Sequence, residues 1–383
     1  MMKIAMSRNS SMTFGQKFCQ INWLLIVLLI VLAFIGCAML YSAGDASWDP
    51  WAKRHLIRFG VGLLLMIIVA VIDIRIWLRH AYTLYFIILA LLIAVEVIGV
   101  ISGGAQRWIN LGIVQLQPSE IMKISLVLAL AKFFHSASLE EIGRPTLLIV
   151  PLLLVSAPVI LVLRQPDLGT AIILIMTAGV IFFLAGVRAW KFGVLIGTIL
   201  LSLPFAWAML HSYQKNRILI FLDPESDPLG SGYHIMQSKI ALGSGGVFGK
   251  GYLEGTQSHL KFLPEKQTDF IFTMLAEEFG MVGGLLLLLV YTLILIYCFA
   301  IALRVHNQFG RLVTLGIGGT FFFYIFINIA MVMGLLPVVG IPLPMVSYGG
   351  TAMLSILIGF GFIICSYVYR DIRVGRNGNA NLD

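Results

Sequence analysis

Charge is scarce in this chain. Only 11% of its residues are Asp, Glu, Lys or Arg, against 59% that are hydrophobic. So little charge excludes the two or three soluble domains that a length of 383 residues would otherwise suggest. Cysteine is equally sparse. Cys19, Cys37, Cys298 and Cys365 are widely scattered, three of them in apolar runs, and no CxxC or Cys/His spacing links them. That pattern indicates neither a zinc site nor a disulfide framework. Acidic residues number 18 against 26 Lys and Arg, a net charge of +8. In a soluble protein such a balance would suggest nucleic acid. In a chain this apolar, the excess belongs to cytoplasmic loops, and no nucleic-acid partner is expected.

Long apolar runs are what remains. Mean hydropathy is +0.96, and runs of about 20 residues recur, the length a helix needs to cross a bilayer. The pattern predicts an all-α polytopic membrane protein with ten spans. They fall at roughly 22–43, 55–73, 80–100, 118–135, 146–163, 168–187, 190–210, 269–303, 311–336 and 348–369. The first run, Trp23 to Ala43, is too long for a signal peptide, and more spans follow it. No internal repeat is evident, which weighs against an inverted-repeat transporter.

Lys and Arg in the short loops set the orientation. With the N-terminus inside, Lys3, Arg8, Lys17, Arg75, Arg79, Lys132, Arg144, Arg188, Lys191, Arg304, Arg311, Arg370, Arg373 and Arg376 are cytoplasmic. Lys53, Arg54, Arg107 and Arg164 are left outside. The chain therefore reads as one transmembrane domain, 1–383, with both termini cytoplasmic. It has an N-terminal segment 1–21, a tail 370–383, and one long external loop, 211–268, between spans seven and eight. Spans four, six, eight and ten then begin at the outer face, and the unusual polar residues cluster at those beginnings.

The stretch Gly243 to Gly280 is the most distinctive. Six glycines, at 243, 245, 246, 249, 251 and 255, suit a backbone that turns sharply or lies against a ligand. Leu263-Pro264-Glu265-Lys266-Gln267-Thr268-Asp269-Phe270 then leads into an apolar helix. Asp269 reads in two ways, as a helix N-cap or as a general base toward a hydroxyl. The glycine-rich approach reads as the outer wall of a cleft with Asp269 at its floor. Glu120 and Lys123 share a face of span four at i, i+3, behind Pro118. Ionisable residues inside a span usually face the bundle interior, and this ammonium could hold a phosphate; an ion pair is the plainer alternative. Arg107-Trp108 reads as an interfacial anchor or as a diphosphate- and sugar-binding pair. Ser231 to Leu242 reads as a short amphipathic helix with His234, Gln237 and Lys239 on its polar side, resting on the membrane or covering a substrate groove. Glu277 lies two turns beyond Asp269, and Glu277 or Glu278 is expected to face a cavity.

These segments carry a resemblance. Gly104-Ala105-Gln106-Arg107-Trp108-Ile109, Gln117-Pro118-Ser119-Glu120-Ile121-Met122-Lys123, Arg164-Gln165-Pro166-Asp167-Leu168-Gly169 and Leu263 to Phe272 look like the SEDS family of shape, elongation, division and sporulation proteins. The match runs through nearly the whole chain in order, and Gly232-Tyr233-His234 with Gln237 to Ala241 resembles the elongation members. One departure is Lys266-Gln267, where the family pattern has a His beside the Thr; it flanks Asp269 without replacing it. The resemblance implies a peptidoglycan glycosyltransferase of the bacterial cytoplasmic (inner) membrane. It would polymerise lipid II at the outer face, with a class B penicillin-binding protein as its crosslinking partner. It implies Asp269 as the catalytic residue and Lys123, Glu120, Arg107, Trp108, Lys239 and Asp167 as substrate-binding ones. No protein metal site is expected; a divalent cation, magnesium or manganese, would ride on the substrate diphosphate. A lipid II flippase and a non-catalytic scaffold remain the competing readings.

Overall fold

The computed structural model describes residues 13–102, 105–110, 112, 115–209, 212–223, 226–227, 231–256, 266–372 and 375. Helices occupy all ten predicted spans: α2 (Trp23–Ala43), α3 (Trp51–Val71), α4 (Ile74–Ile98), α5 (Pro118–Ser136), α7 (Ile149–Arg164), α8 (Leu168–Leu184), α9 (Ala189–Met209), α12 (Ile271–Arg304), α13 (Gln308–Val332) and α14 (Gly350–Val368). Among the described residues there are also short helices: α1 (Phe14–Cys19), α6 (Leu139–Ile142), α10 (Ser212–Leu222) and α11 (Ser231–Ser244). Among the described residues, seven helices are long and apolar enough to cross a membrane unaided, α7 counting from the 3-10 turn at Thr146. Apolar α8 is shorter, and α5 carries Glu120, Lys123 and Lys132.

The polar loop after α4 has regular structure. It forms an antiparallel meander of β1 (Val100–Ser102), β2 (Ala105–Asn110) and β3 (Gln115–Leu116). Strands this short leave little periodicity to read.

α13 is the central element. It packs against α5, α8, α12 and α14, while α14 lies along α3. Lipid tails are as apolar as side chains, so small residues that let backbones close up do much of this work. A Cβ on Gly361 would sit 2.8 Å from the Met66 carbonyl, and one on Gly36 2.5 Å from that of Met345.

α12 departs most from expectation. It starts at Ile271 and breaks at Gly280, whose φ of 66° and ψ of −162° are not helical. A break inside a membrane frees backbone groups that water cannot reach. Here the glycine-rich segment supplies their partners. The amides of Lys250 and Gly251 donate to the carbonyls of Glu277 and Glu278 at 3.0 and 3.1 Å. The amides of Met281 and Val282 donate to Gly246 and Val247 at 2.9 and 3.1 Å. The glycines therefore line a helix break. Lys250 follows them in: its Nζ lies 2.7 Å from Oε1 of the buried Glu277, which also accepts from Thr256 at 3.2 Å. Glu278 accepts from Ser42. Both glutamates are buried and hold the break together.

Gly249 shows how tight the fit is. Its φ is +82°, and a Cβ would lie 2.1 Å from the Glu278 carbonyl oxygen. Gly249→Ala is expected to destabilise the protein by about 3 kcal/mol, from overpacking and a strained backbone. A thermal melt in detergent checks this; an unchanged midpoint would show that the loop can lift off the break.

Candidate active site

Three groups of residues flank the N-terminal ends of α5, α8 and α12. The first is inside α5. Pro118 occupies the opening turn, where its missing N–H costs nothing. One turn on, Glu120 and Lys123 are both buried, with Lys123 Nζ 2.7 Å from Glu120 Oε1. Tyr324 of α13 joins them: its hydroxyl donates to Glu120 Oε2 at 2.5 Å and accepts from Lys123. Ser355 of α14 reaches the same carboxylate oxygen at 3.3 Å. The result is a buried tetrad in which Lys123 spends two of its three N–H groups. It lines a pocket with Thr320, Phe321 and Phe360. Burying one charge unpaired would cost several kcal/mol; paired with each other and hydrogen-bonded to Tyr324 and Ser355, the two ions are tolerated.

The second group is a knot of loops. Arg107 on β2 donates through Nε to the Gln165 carbonyl at 2.9 Å and through a terminal nitrogen to the Pro166 carbonyl. Asp167 is buried and caps α8: one oxygen accepts from the Thr170 amide at 3.2 Å, the other from its hydroxyl at 2.9 Å. Gln117, just before α5, donates to the same carboxylate at 3.2 Å. Arg107 and Asp167 thus tie β2, α5 and α8 together. Trp108 beside them is half-buried.

The third group holds Asp269. The N-cap of α12 is Phe270, with Asp269 one residue before it. Asp269 lies in a half-buried turn with three successive carbonyls each tethered. Tyr348 N donates to Gln267 O at 2.8 Å, Ser347 Oγ to Thr268 O at 2.5 Å, and Asn328 Nδ2 to Asp269 O at 2.9 Å. Gly340, at φ +71°, has its Cβ position 3.6 Å from Asp269 Oδ2, so the loop after α13 closes over the carboxylate. Just before the turn, buried Lys266 faces Asp45 at 3.6 Å.

One helix joins the first and third groups. Tyr324 and Asn328 are four residues apart on α13, one turn and about 6 Å of rise. Tyr324 touches the Glu120–Lys123 pair, and Asn328 touches the Asp269 turn. The turn that carries Asp269 and the Lys123 ammonium therefore meet the same helix about one turn apart. Lys239 is not brought into this arrangement: it is exposed on α11, while its neighbour Ser238 is buried against Thr273 at 2.8 Å and the Val332 carbonyl at 2.9 Å. The side chain of His234 lies outside the described residues. Tyr324, Asn328 and Ser355 were not singled out from the sequence. Their signal was a hydrogen-bonding group inside an apolar span, the same one that marked Glu120.

The arrangement has relatives. A family model described as "Cell cycle protein", covering FtsW, RodA and SpoVE, matches residues 17–370. The peptidoglycan glycosyltransferase MrdB of Escherichia coli (strain K12) is 43% identical over 363 residues, 94% of this chain and 96% of that one. A peptidoglycan synthase complex, described for its structural coordination of polymerization and crosslinking, contains a chain with TM-score 0.80 at 33% identity, covering 92% of this chain and 99% of that one. The rod shape determining protein RodA of Thermus thermophilus matches with TM-score 0.69 at 30% identity, over 92% and 98% of the two chains.

Proposed function

This chain belongs to the FtsW/RodA/SpoVE family and is a multi-pass inner-membrane peptidoglycan glycosyltransferase, and on that premise we propose that it polymerises lipid II with Asp269 as general base. The observation that carries this reading is the juxtaposition on α13. The backbone of the turn that carries Asp269 and the buried ammonium of Lys123 contact α13 one helical turn apart.

In the proposed step Asp269 accepts the proton of the acceptor sugar's hydroxyl. That oxygen bonds to the anomeric carbon of the donor sugar as the bond from this carbon to the lipid diphosphate breaks. Negative charge grows on the departing diphosphate, and a fixed cation in a site shielded from water stabilises it strongly. Lys123 fills that role, held in direction by Glu120 and Tyr324. Arg107 and Asp167 act by fixing the entry loops. A magnesium or manganese ion, where used, would arrive with the diphosphate. We place the reaction at the outer face because Lys and Arg concentrate in the loops at the opposite ends of these helices. Emerging strands would pass to a class B penicillin-binding protein, in keeping with the synthase complex that this fold matches.

The test uses purified chain with its partner's crosslinking site disabled, supplied with lipid II, and resolves products on a gel. Glycan strands are the expected product. Labelled lipid moving across vesicles with no strands formed would favour a flippase instead.

A further inference from the structure

Asn328 is the residue whose chemistry the site leaves unexplained. It is fully buried in α13. Its amide nitrogen donates both protons to backbone carbonyls, of Asp269 at 2.9 Å and Ile341 at 2.7 Å. The orientation of the amide follows from that pairing, since a flipped side chain would press its oxygen against two carbonyls. The cost falls on the other side. Among the described residues, Asn328 Oδ1 is buried with no hydrogen-bond partner. A leucine of similar size would leave no such orphan in an apolar helix, so packing alone does not account for the residue. What the amide achieves is geometric. It fastens the Asp269 turn, which precedes α12, to the loop that follows α13, and holds both against the helix that carries Tyr324.

We infer that Asn328 is a positioning residue for the glycosyl transfer, setting the Asp269 carboxylate at its working distance from the Lys123 site. This rests on the general-base reading of Asp269. Misplacing a reacting group by about 1 Å can cost roughly 100-fold in rate. Asn328→Leu is therefore expected to lower kcat for lipid II polymerisation at least about 10-fold, with KM within about twofold of the parent.

Ser238→Ala is the matched control. Ser238 is equally buried and also bridges two partners, Thr273 and the Val332 carbonyl, and neither of these bonds reaches Asp269. It should keep the parental kcat. Assays use the full chain in complex with its partner, with turnover counted per intact complex by size exclusion. Should Asn328→Leu fail to fold, Asn328→Ser, neutral and too short to bridge the two carbonyls, is judged the same way. Equal losses of kcat in the Asn328 and Ser238 variants would overturn the inference, because the effect would then be general loosening. Parental kcat in Asn328→Leu, with Asp269→Asn inactive, would also overturn it and leave the base standing. Parental activity in Asp269→Asn would remove the base and the inference together.

Discussion

Asp269→Asn is expected to stop strand synthesis while leaving the protein folded and bound to its partner. General-base assistance is worth about 100- to 10,000-fold, so the rate should fall by about 1,000-fold, to near the limit of a gel assay. The substitution is unusually clean. The tethers on this turn run to main-chain carbonyls, and Asn328 bonds to the oxygen of the peptide rather than of the carboxylate. Asparagine keeps the shape and those main-chain bonds and removes the proton acceptor. Lipid II should still bind, so the loss should appear in kcat and not in KM. Polymerisation at the parental rate by a folded Asp269→Asn protein would end the base assignment.

Lys123→Met carries the second large effect, and it mixes two causes. Removing one partner of a buried ion pair leaves the other charge uncompensated, a cost of about 3–5 kcal/mol. Glu120 would retain Tyr324 and Ser355 as donors, which softens the penalty without cancelling it. Lost activity in the single variant therefore cannot separate folding from chemistry. The double variant Glu120→Gln with Lys123→Met separates them, since the buried site becomes neutral again. Stability should recover in a thermal melt, while turnover of lipid II stays at least about 100-fold down for want of the cation. If the double variant polymerises normally, the pair is a structural bridge and the diphosphate must find its cation elsewhere.

Much of this site could be read before any coordinates. Apolar run lengths located the ten helices because the bilayer imposes a length that few other sequences satisfy. Glu120 and Lys123 stood out because ionisable groups are rare inside spans. What escaped notice depended on contacts between distant residues. Asn328 meets Asp269 across 59 residues of chain, and nothing in its neighbourhood, Phe326 to Ala330, announces that partner. Gly280 was visible as a glycine but not as a break, since a helix interior tolerates a lone glycine at about 1 kcal/mol. The glycines at 245, 246, 249 and 251 were rightly read as a backbone making close approach. The ligand they approach proved to be α12 itself.

That helix break has a consequence for how the chain is made. Its partners, Gly246, Val247, Lys250 and Gly251, all precede α12 in the sequence, so they have left the ribosome before the broken helix enters the bilayer. The Asp269 turn is different, for Asn328, Ser347 and Tyr348 all come later. A nascent chain that has reached Arg304 already contains the residues that mend the break and none of these three tethers. Synthesis order therefore completes the scaffold first and the reactive turn last.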